Sequence, residues 1–143
     1  MPWEFYLDLS RHLWDEVRHS TMGETRLREL GVELTEIPHM TANYDWRQRV
    51  DPLMRYTTLT LVIEAASFPK KNESYRNHLA AGDMRSAQAL LYDVTDETMH
   101  VQYGSKWVPE LMKRAGISVP LEQYIEQCRQ RNDIEQRKMK VGA

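Results

Sequence analysis

Cysteine is almost absent from this sequence, which contains a single such residue, Cys128. One thiol cannot form an internal disulfide bond, and alone it cannot build a structural zinc site or an iron–sulfur cluster. Any metal site must therefore use oxygen and nitrogen ligands. The lack of disulfide pairs also leads us to expect a reducing compartment, the cytoplasm.

The sequence also lacks long apolar runs and a large excess of either positive or negative charge. No apolar stretch approaches the roughly 18 residues that cross a bilayer, and the N-terminus lacks the layout of a signal peptide. The 143 residues include 19 basic and 21 acidic side chains, interspersed along the chain. Because no strongly basic surface results, we expect neither a nucleic acid nor a membrane as a partner. A soluble chain of this length can bury its own core.

Glycine and proline are scarce, with six of each, and most stand between long segments in which apolar residues recur at helical spacing. This pattern predicts an all-α fold in which long helices form a bundle. Helices are predicted for residues 2–30, 51–68, 84–114 and 121–137, with a short helical turn at 75–81. Pro69 is expected to end the second helix.

The remaining segments are predicted as follows. Residues 31–50 show no sustained period and are expected to form a long connection that Tyr44 and Trp46 anchor. The last helix has few apolar positions, so we expect it to pack weakly and to fray over residues 138–143. We assign residues 1–116 to the bundle and residues 117–143 to a charged C-terminal helix and tail.

A short pattern, D-E-x-x-H-x-x-x-G, occurs twice, at Asp15–Gly23 and at Asp96–Gly104. Helix positions three apart share a face, so each glutamate lies beside the histidine of its own copy. A carboxylate next to an imidazole is half of a metal site. Two such halves on inward-facing helices of a four-helix bundle hold a pair of iron or manganese ions.

The face that carries each pair is predicted to be buried. On the first helix this face holds Phe5, Leu9, Leu13, Glu16, His19, Gly23, Leu27 and Leu30. Glu64 is also the single acid in the apolar run 59–66, where an ionised carboxylate is costly without a cation. We therefore predict a metal site with five ligands: Glu16, His19, Glu64, Glu97 and His100.

Other residues near these motifs leave alternatives open. One E-x-x-H pair by itself is commonly an ordinary side-chain contact. Asp15 and Asp96 either orient histidines of neighbouring helices or are exposed charges or interhelix salt bridges. Gly23 and Gly104 leave space for a packed helix or for dioxygen and substrate. Three further histidines carry less weight: His12 is expected at the surface or in support of Glu16, and His39 and His78 fall in connections.

The order and spacing of several segments resemble a known family. These segments are Leu59–Ala65, Leu79–Asp83, Ser86–Ala87, Asp96–Val101 and Gly104–Trp107. They are similar to a family of ferritin-like domain proteins of unknown function, a distant relative of the di-iron tRNA hydroxylases, rubrerythrins and ferritins. The likeness extends from Trp14 to Arg114. It implies a four-helix bundle with a di-iron or di-manganese centre, in which the five predicted residues match five of the usual six ligands.

The sequence departs from that family at its beginning. Ferritin-like sites take their first glutamate from a helix that precedes the first E-x-x-H, and here that helix would lie before Met1. We therefore expect a domain fragment, a truncated reading frame or a protein that borrows a helix from a partner, and we favour the fragment that lacks the first ligand helix. An apolar face would then stay open and favour a homodimer.

These observations lead to one principal functional hypothesis and two alternatives. We expect a dinuclear non-haem iron or manganese centre that uses dioxygen to oxidise or hydroxylate a small molecule. The first alternative is a ferroxidase or metal-storage protein without an organic substrate. The second is a structural helical module in which the acids and histidines pair only with each other.

Overall fold

A computed structural model describes residues 1–38 and 41–141 of the chain. Every regular element within these ranges is helical, which confirms the predicted all-α fold. The helices are α1 (Trp3–Glu29), α2 (Ala42–Arg47), α3 (Pro52–Thr57), α4 (Ala65–Ala80), α5 (Met84–Arg114) and α6 (Leu121–Val141). A 3-10 turn covers Leu34–Glu36, and a π-helical segment, Thr58–Glu64, joins α3 to α4. Among the described helices, none combines the length and apolarity that crossing a membrane requires.

The chain divides into two compact units. The first comprises Met1–Pro38 and Ser67–His100, and the second comprises His39–Ala66 and Val101–Ala143. Two helices, α4 and α5, begin in one unit and end in the other. The domain boundary predicted at residue 116 stays a prediction.

Helix α1 begins and ends where the sequence predicts, but the predicted buried face is wrong. Leu13 is 67% exposed, and Leu9 and Leu30 are exposed as well. The buried residues are instead His12 and Asp15. Ion pairs and imidazole contacts in the first unit determine which side of α1 is buried, and this side lies next to the leucine stripe rather than on it.

The helix that begins at Asp51 is longer than predicted. Its start is confirmed, because the Met54 amide donates a hydrogen bond to the Asp51 carboxylate at 2.9 Å. Its predicted end at Pro69 is wrong, since the chain stays helical to Ala80 and includes the turn expected at 75–81. A proline inside a helix removes one backbone hydrogen bond. Contacts that Ser67 and Lys71, on either side of Pro69, make with α5 offset that loss.

The connection 31–50 and helix α6 also differ from expectation. The connection contains α2, on which Trp46 is buried at 4% exposure while Tyr44 is 66% exposed, so only the tryptophan anchors it. Helix α6 extends to Val141, so the predicted fraying from residue 138 is wrong up to that point. The rest of the predicted tail, Gly142 and Ala143, lies outside the described residues, as does His39.

The second unit contains an apolar core to which α6 contributes. Its buried members are Leu53, Leu61, Val62, Val108, Met112, Tyr124 and Cys128. Two of them, Tyr124 and Cys128, come from α6, which therefore does not pack weakly as expected. In this unit α5 and the π-helical segment approach each other closely, because Gly104 of α5, which has no side chain, packs against Thr60.

Candidate metal site

In the first unit, the two copies of the repeated motif are joined by reciprocal acid–imidazole contacts. The Asp15 carboxylate lies 3.4 Å from Nε2 of His100, and the Asp96 carboxylate lies 3.0 Å from Nε2 of His19. The aspartate of each copy thus faces the histidine of the other. These contacts support orientation of histidines on the neighbouring helix. The ion pairs of Asp96 with Arg11 and Arg18 are the interhelix salt bridges of the other alternative, so the structure contains both.

Two arginines of α1 complete the contact between the copies. Arg11 Nε donates to both oxygens of Asp15 at 2.9 and 2.8 Å, and Arg18 donates to Asp15 at 2.7 Å and also to Asp96. Burial raises the pKa of Asp15. The pKa is lowered by hydrogen bonds from Arg11 and His100 and by the charges of Arg11 and Arg18. Together these effects exceed that of burial, so the pKa is lowered overall and the group stays ionised.

Glu16 lies between two buried histidines of the first unit. Its Oε1 is 3.7 Å from Nε2 of His12 and 3.6 Å from Nδ1 of His100. The two imidazole rings stack with their centroids 3.7 Å apart. His12 and His100 are buried, while the Glu16 side chain is half-exposed, so solvent and small ligands reach the cluster from the glutamate side.

These separations approach those of a divalent metal site. Two ligands that each lie about 2.1 Å from one ion are roughly 3.0 Å apart at 90° and roughly 3.4 Å apart at the tetrahedral angle, and the two distances from Glu16 are slightly longer than that. The ligand atoms of His12, Glu16 and His100 all lie within 4.8 Å of one another. A hydrogen bond from Nε2 of His100 to Asp15 leaves the Nδ1 lone pair directed at Glu16, which is the tautomer that a metal requires.

Sequence reasoning missed His12, which it placed at the surface. The side chain is 4% exposed and lies next to Glu16 and His100. A signal for it exists, because His12 and Glu16 are four residues apart and share a helix face. The predicted apolar face of α1 concealed that signal, since it placed the leucines rather than His12 inside.

Glu97 and His19, two of the predicted ligands, belong to a second group of charges in the first unit. Lys71 of α4 pairs with Glu97 and lies 2.5 Å from Asp93, while Ser67 donates a hydrogen bond to Glu97 at 2.7 Å. Asp93 in turn lies 3.3 Å from Nδ1 of His19. Burial lowers the pKa of Lys71, and the hydrogen bonds and charges of Asp93 and Glu97 raise it by more, so the ammonium is retained.

The structure therefore brings together three of the predicted ligands in the first unit. Glu16 Oε1 lies 3.6 Å from His100 and 3.9 Å from His19. Glu97 contacts Lys71 and Ser67 instead. Glu64 belongs to the second unit, where it ends the π-helical segment and is 3% exposed. Its role as a ligand stays a prediction. π-Helical turns within α-helices occur frequently at functional sites.

The glycines that end the two motif copies differ in their surroundings. A Cβ atom on Gly104 would lie 2.7 Å from Cβ of Thr60, so this glycine permits close packing. Nothing lies within 4 Å of the equivalent position on Gly23. Gly23 lines an open groove of about 410 Å³ in the first unit, with His19 and Asp93 also on its wall. This groove has room for a small molecule.

A family model described as "Protein of unknown function (DUF455)" matches residues 1–141. No curated protein and no solved structure matches the chain. The family description states no activity, so any functional argument depends on the residues and their geometry.

Proposed function

Because the chain belongs to the family of unknown function DUF455, we propose a function from its own residues: it binds non-haem iron or manganese and acts as a dioxygen-dependent oxidase or hydroxylase. The observation that carries this proposal is the cluster of His12, Glu16 and His100. Two histidines and one carboxylate, with coordination positions left open, are the ligand set of many non-haem iron oxygenases.

The residues around the cluster have separate tasks in this proposal. Glu16 supplies the negative charge that a divalent cation requires, and His12 and His100 supply neutral nitrogens. Asp15 fixes the ring of His100 and makes it a more basic ligand. A bound iron or manganese ion would supply the redox chemistry, while the buried histidines limit access of water.

The groove beside Gly23 is the proposed route by which a substrate reaches the site. It opens next to His19, whose ring lies 6.1 Å from that of His100, centroid to centroid. We propose that dioxygen and a small organic molecule reach the site by this route. A homodimer, in which the exposed leucines of α1 are covered by a second copy, is part of the same proposal and stays a prediction.

We also propose that the chain is a ferritin-like protein. The support is an all-α fold in which two E-x-x-H motifs stand on α1 and α5 and their histidines are held by each other's aspartates. Glu64 is the additional carboxylate that this relationship predicts as a ligand.

One observation favours a different candidate, a structural module without metal. Asp15, Asp96 and Glu97 each pair with an arginine or lysine of the chain itself, as expected for a network that only holds helices together. In that case His12, Glu16 and His100 would show no metal affinity, which separates the two hypotheses.

Anaerobic titration of the purified protein with ferrous iron or Mn²⁺ tests the proposal. We expect saturable binding that Glu16→Gln and His100→Ala weaken by at least tenfold. Glu4→Gln, an exposed acid on the same helix, serves as the matched control and should bind as the wild type does. A wild-type protein that binds neither metal would overturn the proposal. Oxygen uptake with iron alone, in proportion to the iron supplied, would instead favour a ferroxidase.

A further inference from the structure

Lys71 lies where the second half of the repeated motif would bind a cation. Its ammonium contacts one oxygen of Glu97 and one oxygen of Asp93. These two acids are four residues apart on α5, and therefore on one face of the helix. The other Asp93 oxygen faces Nδ1 of His19. An ion bound at this point would meet two carboxylates, which are ligands that iron and manganese accept.

The oxygens of both acids already have partners within the protein. Oε1 of Glu97 contacts Lys71 and Oε2 accepts a hydrogen bond from Ser67. Oδ2 of Asp93 contacts Lys71 and Oδ1 lies near His19. The lysine side chain is only 22% exposed, so its charge is held in a partly desolvated position. A divalent cation could enter only if the ammonium left, because the two positive charges would repel strongly at such a distance.

The group that contains His12 has a different composition. Glu16 lies there between two imidazoles. Among the contacts of the described residues, none joins Glu16 to a lysine or an arginine. The group around Glu16 and the group around Lys71 thus differ in the cation that they are suited to hold. One offers neutral nitrogens and a carboxylate, and the other already contains an ammonium ion of the chain.

We propose that Lys71 takes the place of the second metal ion, so that the protein holds one ion, at His12, Glu16 and His100, and not two. This inference rests on the proposed function, since it concerns the same site. Lys71 is a positioning residue in it: the lysine neutralises Asp93 and Glu97 and prevents a second ion from binding. The dinuclear centre that the sequence predicts is replaced by a mononuclear centre with a fixed internal cation.

The number of ions bound per chain tests this inference. Wild-type protein, loaded with Mn²⁺ without oxygen, should bind one ion, and Lys71→Met should bind two. Lys70→Met is the matched control, since Lys70 is the exposed neighbour, and it should bind one ion. Lys71→Arg keeps the charge and should also bind one. Circular dichroism establishes that each variant is folded.

A measurement on the wild type alone covers the case in which Lys71→Met does not fold. The electron paramagnetic resonance spectrum of the Mn²⁺-loaded protein should be that of isolated ions, without the exchange coupling of a pair. Two ions in the wild type, or a coupled spectrum, would overturn the inference and leave the proposed function intact. One ion in folded Lys71→Met would overturn it as well. No metal in the wild type would refute the proposed function, and this inference with it.

Discussion

Asp15 on α1 and His100 on α5 face each other across the first unit, with Oδ2 of the aspartate 3.4 Å from Nε2 of the imidazole. Both side chains are buried, Asp15 at 1% exposure and His100 at 0%. The residues at the equivalent positions of the other motif copy, Asp96 and His19, repeat the contact in reverse. The repeated motif therefore places each aspartate as the partner of the other copy's histidine.

This relationship makes Asp15→Asn a test of both stability and metal binding. The change removes the charge that Arg11, Arg18 and His100 contact, so we expect the free energy of unfolding in urea to fall by about 2 to 3 kcal/mol. Because Asp15 orients His100, we also expect metal affinity to fall by about 10- to 100-fold. Glu4→Gln on the same helix should change stability by less than about 0.5 kcal/mol. Equal effects of the two substitutions would contradict the role assigned to Asp15.

The two motif glycines should respond oppositely to alanine. Gly104→Ala places a methyl group 2.7 Å from Cβ of Thr60, a branched residue that cannot retreat, so we expect a loss of about 1 to 3 kcal/mol in the free energy of unfolding. Gly23→Ala meets open space inside α1, and the higher helix propensity of alanine should stabilise the protein by about 0.5 to 1 kcal/mol. Urea denaturation of both variants measures the difference. Destabilisation by Gly23→Ala would show that the groove beside it is closed in solution.

Cys128 should be unreactive in the native protein. Burial raises the pKa of its thiol to about 11, because the effect of burial is larger than the lowering effect of hydrogen bonds with Thr58 and Tyr124. At pH 8 we therefore expect labelling by a thiol reagent only after unfolding in urea. Rapid labelling of the native protein would contradict the packing of α6 into the core.

The same thiol makes stability depend on alkaline pH. An unfolded cysteine loses its proton near pH 9, whereas the folded one holds it to about pH 11, so the folded state binds more protons between these values. Stability is therefore fully present below pH 9 and falls as the pH rises toward 11. Burial also raises the pKa of Tyr124, which acts in the same direction. Cys128→Ala should reduce the slope of the free energy of unfolding against pH over this range, and an unchanged slope would refute the assignment.

Glu64→Leu separates a metal ligand from a purely structural acid. The glutamate is 3% exposed and interacts with other groups of the protein. Removing one member of a buried charged pair leaves its partner uncompensated, which costs about 3 to 5 kcal/mol. We therefore expect the metal-free variant to be less stable than the wild type in urea, whether or not Glu64 is a ligand. If Glu64 is a ligand, as the sequence predicts, the variant should also bind metal more weakly. Unchanged metal binding would remove Glu64 from the ligand set.

Much of the secondary structure follows from local patterns that need no tertiary information. The limits of α1 and α5 follow from Pro2, Gly31, Asp83 and Gly116, because caps and left-handed glycines act within one turn of the chain. The face of α5 that carries Glu97 and His100 is buried, as predicted. The prediction that Pro69 ends a helix is wrong because a proline inside a helix costs only about 3 kcal/mol, which neighbouring contacts can offset.

The face of α1 shows why packing is harder to predict. Periodicity alone favours the leucine stripe as the inner face, since apolar burial is the largest favourable term in folding. The structure buries His12 and Asp15 beside it, because charged and imidazole partners on α5 are available there. A helical rotation of one residue, about 100°, is enough to exchange the two faces.

From the sequence alone came the all-α fold, the repeated acid–imidazole motif and the restriction to oxygen and nitrogen ligands, because composition, caps and helical spacing are local properties of the chain. Tertiary structure decided which distant partners those side chains meet: His12 and Glu16 join His100, while Lys71 contacts Glu97. Such pairings depend on helix rotation and on residues that lie far apart in the chain, and no local pattern encodes them.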